Sequence, residues 1–514
     1  MDFKTTTETI PAAENIYSGI QEQTVELDYI LPDYYPDIFR LVRCEAVPVI
    51  TGYSIVGDKL NYELRCDIRI LYCGDGSSVL QSVEQHQTFS RTADIGKICE
   101  FPEITIVPKS DHINFRAVNK RRLDMRGAVS IKISVTGENP QEVISDAEGM
   151  NIQLNKTPVR FASQKLTAEK IFSLSENISL SPAQPDADNI VNVRCRALEC
   201  EKKNVSGKLL VKGEIAVDML YSGNSDGECS VEPLSFTLPY SQIVDMDGLD
   251  DSFICRVTPE ILTCDVAPSA DSPRNLSCEA EIRLVCRAVK TASVMLVTDA
   301  FSTVYPCEVS FSDISAEQIP LIITENFTHT AVLADGDNVP KNIYAMWCTP
   351  KNINTHLSDD GNSLVVSGML TYSMAAEDNS GTVVMPDRDE AFEENISLTE
   401  KPENAPSNVR ISVKDVSYNI NSNGTLTAKT ELSAEITVAD CESIHVVSDI
   451  VINDSERKKR DGDYAVKLYF GTENEIIWDI AKRCSTSVSA IMEENELIGD
   501  RLTNGGMLLI PIVT

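Results

Sequence analysis

Long stretches of this 514-residue chain alternate apolar and polar side chains. From Leu60 to Ile70, every second residue is apolar over eleven positions. A period of two places successive side chains on opposite faces of a strand, so this segment predicts a strand with one buried face. Helical periodicity is scarce before residue 455, and turn residues such as Asn423 and Gly424 fall between the alternating segments.

The alternating segments recur at a domain-sized interval. They begin at Leu60, Leu209 and Leu364 and, about sixty residues later in each case, at Leu123, Leu276 and Leu426. The intervals are 149 and 155 residues in the first set and 153 and 150 in the second. Because the two sets repeat together, the pattern predicts three homologous domains, each built from two strand-rich halves.

The predicted fold class is mainly β, with three tandem antiparallel β-sandwich-like domains followed by a small α+β module. Strictly alternating strands with one wet face are typical of antiparallel sandwiches or barrels. We expect the domains at residues 26–145, 186–315 and 336–453. Residues 146–185 are expected to be a linker, in which 157–177 forms a helix or an extended segment.

The pattern changes after residue 453. Residues 454–463 are predicted to be a charged linker, and residues 464–512 to form a strand, two helices and a closing strand (βααβ). Thr472 and Glu475 fit a capping box at the start of the first helix. Ser485–Ser487 supplies a second helix start, and Asn495 and Leu497 mark where that helix ends.

Charge narrows the choice of partners. The chain has 45 Lys+Arg against 78 Asp+Glu, which gives a formal net charge of −33. Nucleic acids and anionic membranes attract a basic surface, so this balance argues against both as general partners. No apolar run approaches the roughly 20 residues that span a bilayer, and the amino-terminal segment lacks a secretory pattern. We therefore expect no transmembrane segment and a cytoplasmic location.

Fifteen cysteines are spread along the chain without a Cys-x-x-Cys pair, and there are only five histidines. The sequence therefore gives little support for a zinc site or a redox motif, and no cofactor is expected. Several cysteines, such as Cys66, Cys278 and Cys286, fall on the apolar phase of predicted strands, where a reduced thiol acts as a small hydrophobic group.

An enzyme and a calcium-binding protein are weaker alternatives. The string Gly-x-Ser-x-Gly occurs at 223–227, but the stretch from Glu228 to Leu238 lacks the helical period that a nucleophile elbow requires. Asp111–His112 pairs an acid with a histidine, yet no nucleophile accompanies it. The acidic loop 245–251 lacks the bidentate glutamate of an EF-hand, so we interpret it as a solvated turn.

The carboxyl-terminal motifs resemble the LysM domain family. The match runs from Tyr464 to Pro511 and includes Trp478-Asp479-Ile480-Ala481, Asn495-Glu496-Leu497 and Gly505-Gly506-Met507-Leu508-Leu509-Ile510-Pro511. In that family, two neighbouring loops usually form a shallow groove for N-acetylglucosamine-containing glycans. The resemblance implies that the corresponding groove, for a partner or a glycan, consists of Gly471, Thr472, Asn474, Glu475, Leu497, Ile498 and Asp500.

The first of those loops departs from the family pattern. Family members typically carry Gly-Asp-Thr-Leu before the tryptophan, whereas this chain has Asn474-Glu475-Ile476-Ile477. Cys484 also replaces the usual tyrosine after the first helix. The changed polar groups favour a protein partner over a sugar. Trp478 is expected to lie in the core of the module.

The whole arrangement resembles the clostridial spore-coat encasement proteins, whose amino-terminal part consists of SPOCS-type repeats. The supporting segments are Leu31-Pro32-Asp33-Tyr34-Tyr35-Pro36-Asp37-Ile38 and Asp299-Ala300-Phe301-Ser302-Thr303-Val304-Tyr305-Pro306. The resemblance implies a non-enzymatic sporulation protein of the mother-cell cytoplasm that works at the forespore surface. Its implied partners are the coat basement-layer ATPase and other coat proteins. A cell-wall or spore-cortex protein that binds peptidoglycan through LysM is the alternative.

Overall fold

The computed structural model describes residues 3–75, 80–98, 100–198, 200–225, 228–269, 272–317, 321–359, 362–379, 381–397, 408–438, 441–459 and 465–512. The first repeat contains β1 (Lys4–Ile30), β2 (Ile38–Val56), β3 (Lys59–Gly74), β4 (Leu80–Asp94), β5 (Glu100–Asn119) and β6 (Arg122–Glu148). The second contains β7 (Ile152–Ser179), β8 (Asp186–Ala197), β9 (Glu201–Val205), β10 (Lys208–Ser225), β11 (Glu228–Asp245), β12 (Ile254–Ser269) and β13 (Ser272–Ser302).

The third repeat contains β14 (Cys307–Glu317), β15 (Leu321–Asp335), a 3₁₀ turn (Gly336–Asn338), β16 (Asn342–Leu357), β17 (Ser363–Glu377), β18 (Val383–Val384), β19 (Asp387–Ser397), β20 (Asn408–Ile420), β21 (Thr425–Val438) and β22 (Cys441–Ile452). The carboxyl-terminal module contains β23 (Val466–Gly471), α1 (Ile477–Cys484), α2 (Val488–Glu494) and β24 (Gly506–Pro511).

Each repeat is a sandwich of two antiparallel sheets, which confirms the predicted fold class. One sheet has β3, β10 or β17 at its centre, and the other has β6, β13 or β21. These are the alternating segments recognised in the sequence. Their apolar phase faces the core: Leu60, Leu209 and Leu364 are all fully buried. Equivalent leucines therefore occupy equivalent places in the three sandwiches.

The outer strands of each repeat continue beyond its sandwich and form a common structure, here called the trunk. It consists of three antiparallel strand pairs: the 4–14 end of β1 with the end of β6, the start of β7 with the end of β13, and β14 with β22. Their inward side chains form one apolar cluster made of Ile10, Val143, Val159, Phe161, Leu296, Ile314, Ala316, Ile444 and Val446. The three repeats therefore share a core and surround it in an approximate threefold arrangement.

The structure differs from the expected boundaries at several points. The second repeat runs from Ile152 to Ser302 instead of 186–315, and the third from Cys307 to Ile452 instead of 336–453. Residues 146–185 are not a linker, because β7 occupies 152–179 and pairs along its whole length with β13. The helical alternative for 157–177 is also wrong, since Leu166, Phe172 and Leu174 pack on the second core from an edge strand. The first repeat begins at Lys4 rather than at residue 26. The prediction relied on long runs of alternating apolar and polar residues. It missed these segments because only short stretches of each trunk strand are buried.

Three equivalent residues meet where the repeats converge. Glu45, Arg194 and Trp347 lie opposite the ninth residue after the leading leucine of the central strand in their respective repeats. Arg194 donates a hydrogen bond to Glu45 at 2.9 Å, and its guanidinium carbon lies 4.7 Å from the Trp347 ring centroid. Arg43 contacts the same Glu45 carboxylate at 2.5 Å. Burial would raise the pKa of Glu45, but the attraction of Arg194 and Arg43 outweighs it and lowers that pKa.

The twelve cysteines that the structure describes are free thiols, mostly in or against the cores. Burial raises the pKa of Cys66 to about 11 and that of Cys286 to about 12. A protonated thiol is a poor nucleophile, so such groups resist oxidation at neutral pH.

We predict that freshly isolated protein contains all fifteen cysteines as thiols. The measurement is thiol titration in denaturant without reductant, compared with a sample that was reduced first. A lower count in the unreduced sample would show that disulfides form and would contradict the prediction.

None of the helices in the part of the chain that the structure describes could span a lipid bilayer.

Candidate functional site

The carboxyl-terminal module is a two-stranded antiparallel sheet, β23 with β24, covered on one face by α1 and α2. Its fully buried residues include Ile477, Ile480, Ala481 and Ile491. The spacing of Ile477, Ile480 and Ala481 places them on one face of α1, as the helical periodicity predicted. The predicted βααβ order is therefore present in the structure.

Two loops of the module are joined by backbone hydrogen bonds. The Asn474 N–H donates to the Leu502 carbonyl at 2.8 Å, and the Leu502 N–H donates to the Glu475 carbonyl at 3.0 Å. The Ile477 N–H donates to the Asp500 carbonyl at 2.9 Å. The loop after β23 and the loop after α2 consequently form one surface, which we call the groove.

The seven residues predicted for the groove all lie on or beside these two loops, but they differ in exposure. Thr472, Asn474, Ile498 and Asp500 are exposed, and Ile498 is 98% exposed. Gly471 is buried, and Leu497 is partly buried against the module core. Only the exposed members offer side chains to a ligand.

Glu475 stabilises the loop rather than facing a ligand. Its carboxylate accepts hydrogen bonds from the Tyr469 hydroxyl at 2.6 Å, the Thr472 N–H at 3.0 Å and the Arg483 guanidinium at 2.9 Å. The Tyr469 hydrogen bond is the main cause that lowers the pKa of Glu475. The carboxylate-to-backbone half of the predicted capping box is thus present, although α1 begins later, at Ile477.

The second helix follows the sequence prediction more closely. The Ser487 hydroxyl caps α2 by accepting from the Ala490 N–H at 3.2 Å. Asn495 follows the helix, accepts from the Leu509 N–H at 2.7 Å and donates to the Leu509 carbonyl at 2.6 Å. The asparagine at the end of α2 therefore ties the helix to the closing strand.

Trp478 lies between the module and the second repeat. Its indole N–H donates to the Asp299 carboxylate at 2.8 Å, and its ring meets Phe301 edge-on with centroids 5.0 Å apart. Lys482 contacts the same carboxylate at 2.7 Å. Lys458, in the charged linker, donates to the Ser302 carbonyl at 2.8 Å. Trp478 packs against the module core as expected, but it is only partly buried, and its indole also docks the module on the end of β13.

An exposed apolar surface covers the other side of the module sheet. Val466, Leu468, Phe470 and Met507 are 42%, 63%, 76% and 65% exposed. The register pairs Phe470 with Met507, and the period of two places the three β23 residues on one face. We call these four residues the outer sheet face. Sequence reasoning missed it because an apolar strand position is normally assigned to the core.

The Gly-x-Ser-x-Gly string and the acidic loop 245–251 lie in a strand connection and a turn. A strand, β11, follows the Gly-x-Ser-x-Gly string, whose residues 226 and 227 lie outside the described residues; a nucleophile elbow requires a helix there. The Asp250 carboxylate accepts from Ser252, which is the main cause that lowers its pKa to about 2, and from Lys290 at 3.1 Å. Across the described ranges, no group of His, Cys, Asp or Glu is arranged to hold a metal ion.

Two family models match the chain. The SipL, SPOCS domain model matches residues 186–268, from β8 to β12 of the second repeat, and the LysM domain model matches residues 472–511. Both are non-catalytic binding domains. No curated protein and no solved structure matches the chain. The protein therefore carries a SPOCS domain followed by a carboxyl-terminal LysM domain, the architecture that its motifs predicted, and this connects it with sporulation.

Proposed function

We propose that this protein is a non-enzymatic scaffold of the spore coat, which binds the coat basement-layer ATPase through its LysM domain and helps the coat encase the forespore. The observation that carries the proposal is the presence of a SPOCS domain and a LysM domain in one chain. The proposed location is the mother-cell cytoplasm, at the forespore surface.

The chemistry of the LysM domain supports a protein partner. A small sugar site needs a few well-placed polar groups, whereas a protein contact is built on exposed apolar anchors with polar neighbours. In the groove, Ile498 is almost fully exposed beside Asp500. The carboxylate of Glu475 is occupied by Tyr469, Thr472 and Arg483. Besides the polar side chains of Thr472, Asn474 and Asp500, the groove therefore presents Ile498 as an exposed apolar anchor, and this anchor is the feature that supports a protein partner.

We predict that Ile498→Ala combined with Asp500→Ala weakens binding to the coat ATPase about tenfold or more, as expected for the loss of an apolar anchor and a neighbouring charge. The measurement is a titration of the full chain against the purified ATPase. Glu493→Ala, at an exposed position on α2 outside the two loops of the groove, is the control. Glu475 is unsuitable for this test because its removal disturbs the loop itself.

We predict that the outer sheet face makes its own contribution to association with coat proteins. Leu468→Ser with Phe470→Ser replaces two exposed apolar side chains by polar ones while leaving the module core intact, so the domain should stay folded. If coat proteins bind there, association falls and the thermal midpoint is unchanged. Unaltered association with every coat protein tested would exclude this face and leave the groove as the contact.

Glycan binding is the second candidate function, and the LysM match itself favours it. Sedimentation with insoluble peptidoglycan, run beside a pull-down with the coat ATPase, separates the two. Strong sedimentation with peptidoglycan and no ATPase binding would overturn the proposal. Expression of the gene outside sporulation would contradict the sporulation role as well.

A further inference from the structure

The three strand pairs of the trunk end in the same local structure. Near the ends of β6, β13 and β22, one residue has no partner across the pair, and this β-bulge falls at Ser145, Thr298 and Ser448. An aspartate follows the bulge in each repeat. Its carboxylate accepts a hydrogen bond from the next backbone N–H, at 2.8–2.9 Å in all three cases. The three residues are Asp146, Asp299 and Asp449.

The packing beneath the three aspartates repeats as well. The residue before each bulge and the residue after each aspartate are buried, and all six belong to one apolar cluster of the trunk. These residues are Ile144, Val297 and Val447 before the bulges, and Ala147, Ala300 and Ile450 after the aspartates. The three carboxylates therefore occupy equivalent places on the outside of the trunk.

Two of these carboxylates are each covered by a basic side chain. Asp146 pairs with Lys156 of the second repeat at 2.7 Å. Asp299 accepts from the Trp478 indole and pairs with Lys482 at 2.7 Å, which is how the LysM domain docks on the second repeat. In both cases the lysine comes from outside the repeat that carries the aspartate.

The third carboxylate is uncovered. Asp449 is exposed, and it forms no ion pair with any residue that the structure describes. The position of Lys156 is occupied by Thr7 in the first repeat and by Phe311 in the third, because each of these residues lies opposite the residue before a bulge. Neither carries a charge, so the other repeats supply no lysine from that position.

An exposed apolar side chain lies beside the uncovered carboxylate. Phe301, two residues after Asp299, is only 3% exposed because Trp478 and the LysM core cover it. The equivalent residue after Asp449 is Val451, which is 55% exposed. Alternate residues of a strand lie on the same face, so the carboxylate and the valine face outward together. The third repeat thus presents the same pair of groups as the second, without a cover.

We infer that Asp449 and Val451 form a docking surface for a helix of a partner protein that presents an aromatic ring and a lysine one turn apart. Helix α1 shows the fit, since Trp478 and Lys482 are four residues apart and meet the equivalent carboxylate together. The lysine donates to the Asp449 carboxylate in a charge-assisted hydrogen bond, and the ring covers Val451. The net charge of −33 favours a partner with a basic surface.

Two peptides of identical composition test the inference on the full chain. Both are acetylated and amidated helices of alanine and glutamine, about fifteen residues long, with one lysine and one fluorinated tryptophan. In the first peptide these two residues are four positions apart and share a helix face, whereas in the second they are two positions apart and do not. Fluorine NMR observes the peptide alone. We expect the first peptide to bind about fivefold more tightly than the second.

Variants of the chain locate the binding. Asp449→Asn and Val451→Ser should each remove the preference for the first peptide, and both positions are exposed, so the fold should be retained. Asp188→Asn, which changes an exposed carboxylate on β8, is the control and should keep the preference. The inference is overturned if the two peptides bind equally, if neither binds at about 5 mM, or if Asp449→Asn binds the first peptide as well as the unaltered chain does.

Discussion

Replacing Glu45 with glutamine is expected to destabilise the body of three repeats by about 3 kcal/mol, since removing one partner of a buried ion pair leaves the other charge uncompensated. Arg43 and Arg194 both contact this carboxylate, at 2.5 Å and 2.9 Å. Without it, Arg194 loses the carboxylate that it contacts, while Arg43 keeps Asp387 at 2.7 Å, in a site where the Glu45, Arg43 and Arg194 side chains are only 17–25% exposed. Glu45 is the central anion of the three-repeat junction.

The measurement is equilibrium urea unfolding of the full chain, followed by circular dichroism. Asp28→Asn is the matched control, because the Asp28–Arg122 pair lies in the same repeat with both side chains about half exposed. An exposed ion pair contributes about 0–1 kcal/mol, so the control should unfold almost like the unaltered protein. Equal stability losses in the two variants would show that the junction has no special role.

The same residue predicts a pH dependence. Because Arg194 and Arg43 lower the pKa of Glu45 in the folded protein, its contribution is fully present above the unfolded pKa. That contribution is lost as the pH falls through the lower, folded pKa. Acidification should therefore reduce the stability of the unaltered protein more than that of Glu45→Gln. Parallel pH profiles for the two proteins would contradict this assignment.

Replacing Trp478 with alanine is expected to release the LysM domain from the second repeat, with a loss of docking free energy of about 2–3 kcal/mol, as for a tryptophan anchor in an interface. The change removes the hydrogen bond to Asp299 and the edge-on contact with Phe301. Because Trp478 is only partly buried, the module should keep its two helices.

Limited proteolysis of the charged linker measures this release. We expect faster cleavage near residues 454–464 in the variant, together with faster amide exchange at the end of β13. Asp479→Asn is the control, since Asp479 is exposed on the same helix. An unchanged cleavage rate would show that Trp478 does not dock the module. Loss of the helical circular dichroism signal would show instead that the module needs Trp478 in order to fold.

Much of the fold could be predicted from local pattern because the sandwich strands bury one face and expose the other. The central strands that begin at Leu60, Leu209 and Leu364 follow this rule over their first halves, whereas their ends are also buried on the second face, where Leu71, Leu220 and Ala375 share a cluster between the repeats. The trunk strands were harder to recognise, since their partners lie more than 100 residues away and their cores come from three repeats together. Residues 157–177 show this difficulty: an edge strand carries too few apolar positions to exclude a helix.

The candidate sites divide in the same way. The positions of the groove residues could be predicted from the order of the LysM motifs along the chain, because the two loops occupy fixed places in a βααβ module and lie side by side. The roles of Glu475 and Trp478 did not follow, since each depends on a contact that sequence spacing cannot express: a local tyrosine for Glu475, and Asp299 in another repeat for Trp478.

The trunk also bears on how further repeats could be added to such a chain by gene duplication. In every repeat the first and last strands pair at their outer ends, as Lys4 does with Glu148 and Ile152 with Ser302. In each repeat, the first and the last residue therefore lie side by side at the trunk. The next repeat begins there after a connection of three or four residues. A gene segment that encodes one repeat can be copied in tandem without rerouting the chain. A domain fused after any copy starts at this same end, which is where the LysM domain docks.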